Sequence, residues 1–171
     1  MSEKPEAGGA MPAVTLKTLA GEEVTTGGAG GWRLVVVYRG KHCPLCKTYL
    51  ARLEEVKGLY DALDTEILVV SGDPKEKAEF CRKEWDIKLP LAYDLSVEQM
   101  RTLGLYVSEP RSPEETDRPF AEPGVFLVNP EGKIQVIDIS NAPFARPDLE
   151  SLSKGLAFIQ KNDYPIRGTL A

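Results

Sequence analysis

Cysteine and histidine are scarce in this chain: 171 residues include three cysteines and one histidine. There is no second Cys-x-x-Cys to complete a four-thiolate metal site. Basic residues do not outnumber acidic ones, 21 against 26, and the net charge is -5. That balance argues against nucleic acid or an anionic membrane surface as partner. Long apolar runs are missing as well, and none approaches the ~20 residues that a membrane helix needs. The opening "MSEKPEAGGAMPA" lacks the apolar stretch of an export signal. The expected compartment is therefore the cytoplasm, where thiols stay reduced and a close cysteine pair points to redox chemistry or metal rather than to a structural staple.

Two of the three cysteines stand together in "YRGKHCPLCKTYL", residues 38–50, beside the one histidine. The preceding "WRLVVVY" is a continuous, largely β-branched run, the pattern of a strand buried on both faces. Beyond Pro44, apolar residues recur in steps of three and four at Leu45, Tyr49, Leu50, Leu53, Val56, Leu59, Tyr60 and Leu63, which predicts one stripe of a long helix. Proline fits the first helical position because its missing N–H has no partner there anyway. This places Cys43 at the cap and Cys46 one turn inside.

The flanking segments supply a fold. Residues 1–12 read as a disordered segment, and residues 13–171 as one domain. "AVTLKTLAGEEVTT" predicts a hairpin, and "GGAGG" a connector with no phosphate-loop lysine after it. "EILVVS" is a second buried strand. "DPKEKAEFCRKEW" is a helix with Asp73 at the cap and Pro74 at its first position. "LPLAYD" suggests a short strand and "SVEQMRTLG" a short helix. The Pro-rich, charged stretch from Leu105 to Gly124 reads as a long surface loop. "VFLVN" and "KIQVIDI" flank a Pro-Glu-Gly turn, and the chain closes with a helix whose stripe is Leu149, Leu152, Leu156 and Ile159. The fold class is α/β: a mixed central sheet with helices on both faces and an N-terminal β-hairpin.

A cysteine at a helix start meets free N–H groups and the positive end of the helix dipole, which favour thiolate over thiol. A second cysteine one turn on can close a small disulfide ring with the first. Arg39 or His42 would add positive charge. The alternatives are a zinc site drawing on His42 and distant Cys81, or thiols that merely pack.

"YRGKHCPLC" after "LVVV" and before a long helix resembles the thioredoxin fold, in its peroxiredoxin-like branch, the AhpC/TSA or redoxin family. "VTLKTLAGEEVT" and "PGVFLVNPEGKIQVIDIS" are similar to that family's two hairpins, and "NAPFARPDL" and "DYPIRGT" resemble stretches of a bacterial peroxiredoxin-like subgroup. The resemblance spans about residues 12–168 and implies a three-layer thioredoxin-like domain. It also implies an antioxidant thiol oxidoreductase acting on peroxides or on protein disulfides.

Carried over from thioredoxins, Cys43 is the nucleophile and Cys46 resolves. Carried over from the peroxiredoxin motif, Cys46 takes the peroxidatic position, Cys43 stands where that motif has threonine, and Arg39 where it has proline. Pro123 resembles the cis-proline that thioredoxins set against the cysteine pair, and Arg118 is a candidate cation beside Arg39. Cys81 is an alternative resolving cysteine. No bound cofactor or metal is implied; the partners are a peroxide or disulfide substrate and an outside thiol reductant such as a thioredoxin-type protein. The terminal "YPIRGTL" either packs on the body or mediates a homodimer. A disulfide reductase without peroxidase activity, and a non-catalytic binding domain on the same fold, stand as the other functional readings.

Overall fold

The computed structural model describes residues 4–171. Its centre is β3 (Trp32–Val37), preceded by the hairpin strands β1 (Thr15–Lys17) and β2 (Glu23–Thr25). Next come α1 (Pro44–Asp61), β4 (Thr65–Val70), α2 (Lys75–Glu84), β5 (Leu91–Ala92) and α3 (Val97–Thr102). The chain ends with β6 (Val107–Ser108), β7 (Phe120–Ala121), β8 (Gly124–Val128), β9 (Ile134–Ile139) and α4 (Leu149–Asn162). Five strands form one sheet in the order β5-β4-β3-β8-β9. β3 runs parallel to β4, its partner through the α1 crossover, and antiparallel to β8.

The β-branched run of β3 serves both faces of this sheet. Leu34, Val36 and Tyr38 join α1, α2 and α4 in one core cluster. Val35 and Val37 join α3 and the N-terminal segment in the other. Alternation along one strand thus builds two apolar layers, and the expected three-layer thioredoxin-like architecture stands.

Helix α1 buries Cys46, Leu50, Leu53, Val56 and Tyr60. Leu45 and Leu59, expected in the stripe, are 47% and 44% exposed, because each sits one residue off the buried row. A Leu53→Ala cavity would cost about 2–5 kcal/mol. The hydroxyl of Tyr60 donates to the Leu149 carbonyl at 2.6 Å and that of Tyr49 to the Pro147 carbonyl at 2.8 Å. These two bonds dock the start of α4, and the loop before it, onto α1.

Several local expectations change. Residues 4–12, expected to be disordered, pack on the sheet: Gly8 donates to the Ile134 carbonyl, Ala10 bridges Lys133, and Met11 is buried. Backbone pairing to β9 outweighs their polar composition; residues 1–3 lie outside the described residues. Helix α2 is capped by Pro74, with no side-chain cap. Asp73 turns away, and its Oδ2 accepts the Lys41 N–H at 2.8 Å. The Leu105–Gly124 stretch is tied down, since β6 pairs with β7 and Lys77 on α2 holds Asp117 at 2.8 Å. Among the described residues no helix is long and apolar enough to cross a membrane.

Candidate active site

Tyr38, Arg39 and Gly40 follow the C-terminal end of the central strand β3, and α1 begins four residues after Gly40. Gly40 has φ +143°, and a Cβ there would meet Asp73 Oδ1 at 2.7 Å. Glycine therefore lets Asp73 close on the turn and hold the Lys41 amide. This fixes the elbow from which the cysteine pair projects.

Cys43 is the N-cap of α1, in extended conformation, with Pro44 at the first helical position as expected. Its Sγ accepts the Cys46 N–H at 3.3 Å, as a serine oxygen would in an ordinary cap. Arg39 Nη1 lies 4.0 Å from the same sulfur. The side chain of Cys46 also faces Cys43. Its S–H acts as a donor to the neighbouring sulfur, the largest influence lowering the Cys43 pKa. Burial opposes this, but the Cys46 amide and Arg39 add to it, and the result is about 6. Cys46 moves the other way: burial, then its hydrogen bond to Cys43, push its pKa far up. The two sulfurs thus hold their protons unequally, Cys43 releasing its proton far more readily than Cys46. The two residues are 1% and 0% exposed, and all three cysteines are free of disulfides.

Arg39 is held from behind. Its Nε lies 2.9 Å from Glu122 Oε1, an ion pair without hydrogen-bond alignment, and Nη2 donates to Oε2 at 3.4 Å. Ser108 Oγ donates to that same Oε2 at 2.7 Å. Glu122 is 4% exposed, so its charge is neutralised where it is buried. The Arg39 guanidinium also lies over the Phe120 ring at 4.7 Å.

His42 meets the same ring edge-on at 4.5 Å, and both its nitrogens are buried without partners. Burial, and then the Arg39 charge, lower its pKa to about 4, so the ring is neutral at pH 7. It therefore brings no positive charge to the sulfurs. Arg118 is drawn off to Asp117, with Nε and Nη2 at 3.1 and 3.2 Å from its carboxylate. Pro123 is buried immediately before β8, and its carbonyl accepts the Ser140 N–H. It is not a cis-proline; the described residues contain no cis peptide bond. Trans is the lower-energy isomer of X–Pro by about 0.5–1 kcal/mol.

Two residues at the site carried no expectation. Glu122 is one. Arg146 is the other: its Nη1 reaches Cys46 Sγ at 3.5 Å, its Nε donates to the Pro143 carbonyl at 2.7 Å, and it lies over the Tyr49 ring at 4.5 Å. It sits in the loop between β9 and α4, within "NAPFARPDL", a stretch whose resemblance to a bacterial subgroup was the one sequence signal for it. Cys81 is fully buried on α2, and burial followed by the nearby Asp73 charge raises its pKa to about 12. Among the described residues no three His, Cys, Asp or Glu side chains converge on a metal-binding geometry.

The sequence pattern of the AhpC/TSA family matches residues 7–137. The chain belongs to the AhpC/TSA family. As an AhpC/TSA protein it is a thiol oxidoreductase of the peroxiredoxin-like kind. The match starts earlier than the resemblance read from sequence and stops before the Arg146 loop and α4. Solved structures agree in fold. A peroxiredoxin-like protein from Aquifex aeolicus superposes with a TM-score of 0.77 at 17% identity, covering 92% of this chain and 90% of that one. For a Plasmodium vivax 2-Cys peroxiredoxin in its reduced form the TM-score is 0.76 at 15% identity, covering 92% and 83%. For Mycobacterium tuberculosis AhpC it is 0.73 at 18% identity, covering 94% and 96%. No curated protein sequence matches the chain significantly.

Proposed function

We propose that this protein reduces peroxides through Cys43 and Cys46, which cycle between dithiol and disulfide. The carrying observation is the Cys43 sulfur, a helix cap that accepts the Cys46 N–H at 3.3 Å with Arg39 at 4.0 Å. These contacts favour the thiolate, which is the nucleophile in thiol chemistry. Cys43 thiolate attacks the peroxide oxygen, the O–O bond breaks, and the alkoxide or hydroxide leaves and takes up a proton. Cys43 becomes a sulfenic acid. Cys46 then attacks the Cys43 sulfur; its proton leaves with the departing hydroxide as water, and the Cys43–Cys46 disulfide closes. Two electrons from an outside dithiol, such as a thioredoxin-type protein, reopen it. Cys81 takes no part, since its thiol is buried and hard to ionise. No cofactor enters the cycle, and the cytoplasm is the compartment that suits it.

A second reading, disulfide exchange with a protein substrate, is favoured by exposed apolar side chains near the pair. Leu45 lies between the cysteines at 47% exposure, and Phe144, two residues before Arg146, at 80%. Stopped-flow mixing of reduced protein with hydrogen peroxide, with mass mapping of the product, tests the proposal. Saturating or fast second-order oxidation ending in a Cys43–Cys46 disulfide is expected. Oxidation no faster than that of free cysteine would leave disulfide exchange as the activity. A homodimer through the C-terminal segment is not needed for either cycle. Tyr164 packs on Phe158 at 5.3 Å, and its carbonyl accepts from Gln135 at 3.4 Å.

A further inference from the structure

The cycle asks a difficult task of Cys46. It must act as a nucleophile, yet it is fully buried and in the resting protein donates its proton toward Cys43. Once Cys43 is oxidised to a neutral sulfenic acid, the anion that held this proton is gone. The groups facing Cys46 are then few. They are Cys43 at the helix cap, the main chain of Arg39, Tyr38 at the end of β3, and Arg146 from the β9–α4 loop. Tyr38 is buried, and desolvation keeps it neutral. Arg146 is the one permanent cation among them that contacts the sulfur through its side chain.

The placement of Arg146 is not incidental. Its Nε is fixed by the Pro143 carbonyl at 2.7 Å, and its guanidinium plane rests on Tyr49 at 4.5 Å. Tyr49 in turn holds the Pro147 carbonyl at 2.8 Å, so loop and helix α1 clamp the cation from both sides. The two sulfurs therefore have separate cations, Arg39 for Cys43 and Arg146 for Cys46. Arg146 also lies beyond residue 137, where the family's pattern ends.

We propose that Arg146 is a catalytic residue of the second half-reaction, holding Cys46 as a thiolate while it attacks oxidised Cys43 and again when an outside thiol reopens the disulfide. This assignment rests on the cycle proposed above. In closure, Cys46 first gives up its proton, the thiolate sulfur then bonds to the Cys43 sulfur as the S–O bond breaks, and the departing hydroxide takes up a proton as water. In reopening, the outside thiolate bonds to Cys43 and the S–S bond breaks toward Cys46, which departs as the thiolate that Arg146 stabilises. The mixed disulfide therefore forms on Cys43. An opposite charge lowers a thiol pKa by about one to three units. Losing one unit cuts the thiolate fraction tenfold but raises its intrinsic reactivity about threefold, so closure slows about threefold per unit, or about 3- to 30-fold in all.

The test is rapid mixing of reduced full-length wild type, Arg146→Lys and Arg146→Met with hydrogen peroxide. Samples are quenched into dimedone, which captures sulfenic acid, and mapped by mass spectrometry. In Arg146→Met, Cys43 sulfenic acid should accumulate and disulfide closure slow by about 3- to 30-fold, more than the first oxidation step slows; Arg146→Lys should fall between. Dithiothreitol should reopen the oxidised Met variant more slowly as well. Closure at the wild-type rate, or an equal slowing of oxidation and closure, would overturn the assignment. A wild type that forms sulfenic acid but no Cys43–Cys46 disulfide would overturn the cycle itself, and the assignment with it. Should Arg146→Met fail to fold, Arg146→Lys decides: closure slowed more than oxidation is expected, and closure at the wild-type rate overturns the role.

Discussion

The carboxylate of Glu122 holds the guanidinium of Arg39, Nε to Oε1 at 2.9 Å, and that guanidinium reaches Cys43 Sγ at 4.0 Å. One buried acid thus aims one cation at one sulfur across 83 residues of chain. Arg39→Met should raise the Cys43 pKa by about one unit or more, read from thiolate absorbance near 240 nm. Glu122→Gln should cost about 1–3 kcal/mol in urea denaturation, because a part-buried cation loses its counter-charge. An unchanged denaturation midpoint would show that the pair contributes nothing.

The Cys43 thiolate should give a plain pH signature. Alkylation of Cys43 should rise with a midpoint at about 6 and level off above pH 7. The Cys46 thiol is the leading cause, so Cys46→Ala should shift the midpoint up, while Cys46→Ser, which keeps a donor, should hold it low. The folded pKa lies below the unfolded one, so the associated stability is complete above about 8.5 and drains away as pH falls through about 6.

His42 adds a second acid-side loss. Its folded pKa of about 4 lies below the ordinary value of 6.5, so unfolding takes up a proton between them. Stability should therefore fall as pH drops from about 6.5 to about 4, and His42→Phe should flatten this part of the profile in thermal melts. A wild-type profile with no slope in that window would contradict the buried, neutral ring.

Serine and alanine should part company at position 43. At about pH 5, where the Cys43 thiolate adds no stability, Cys43→Ser keeps an acceptor for the Cys46 N–H and should leave stability within about 0.5 kcal/mol, whereas Cys43→Ala should cost about 0.5–2 kcal/mol from the lost cap. Both should abolish disulfide closure. Equal melting temperatures for the two variants would mean that the sulfur is no cap.

Much of the fold could be read because its signals are local. The β-branched run before Arg39 and the Pro44 helix start each sit within a few residues of what they specify, and both cysteines fell where that start put them. The AhpC/TSA pattern, over residues 7–137, takes in the same stretch and both hairpins. Glu122 and Arg146 were not readable. Their partners, Arg39 and Cys46, lie 83 and 100 residues away, and only the packed fold brings them together. Asp73 shows the converse error: an Asp-Pro pair looks like a cap, but the Gly40 turn offers its carboxylate a better donor. Pro123 keeps its trans bond, and Arg118 goes to its own neighbour, Asp117.

The near-complete enclosure of Cys43 and Cys46 sets a gauge on what can reach them. Small, thin oxidants need displace little of the surrounding wall, whereas broad reagents need more of it to yield. Selectivity among electrophiles at this pair should accordingly follow girth before intrinsic reactivity.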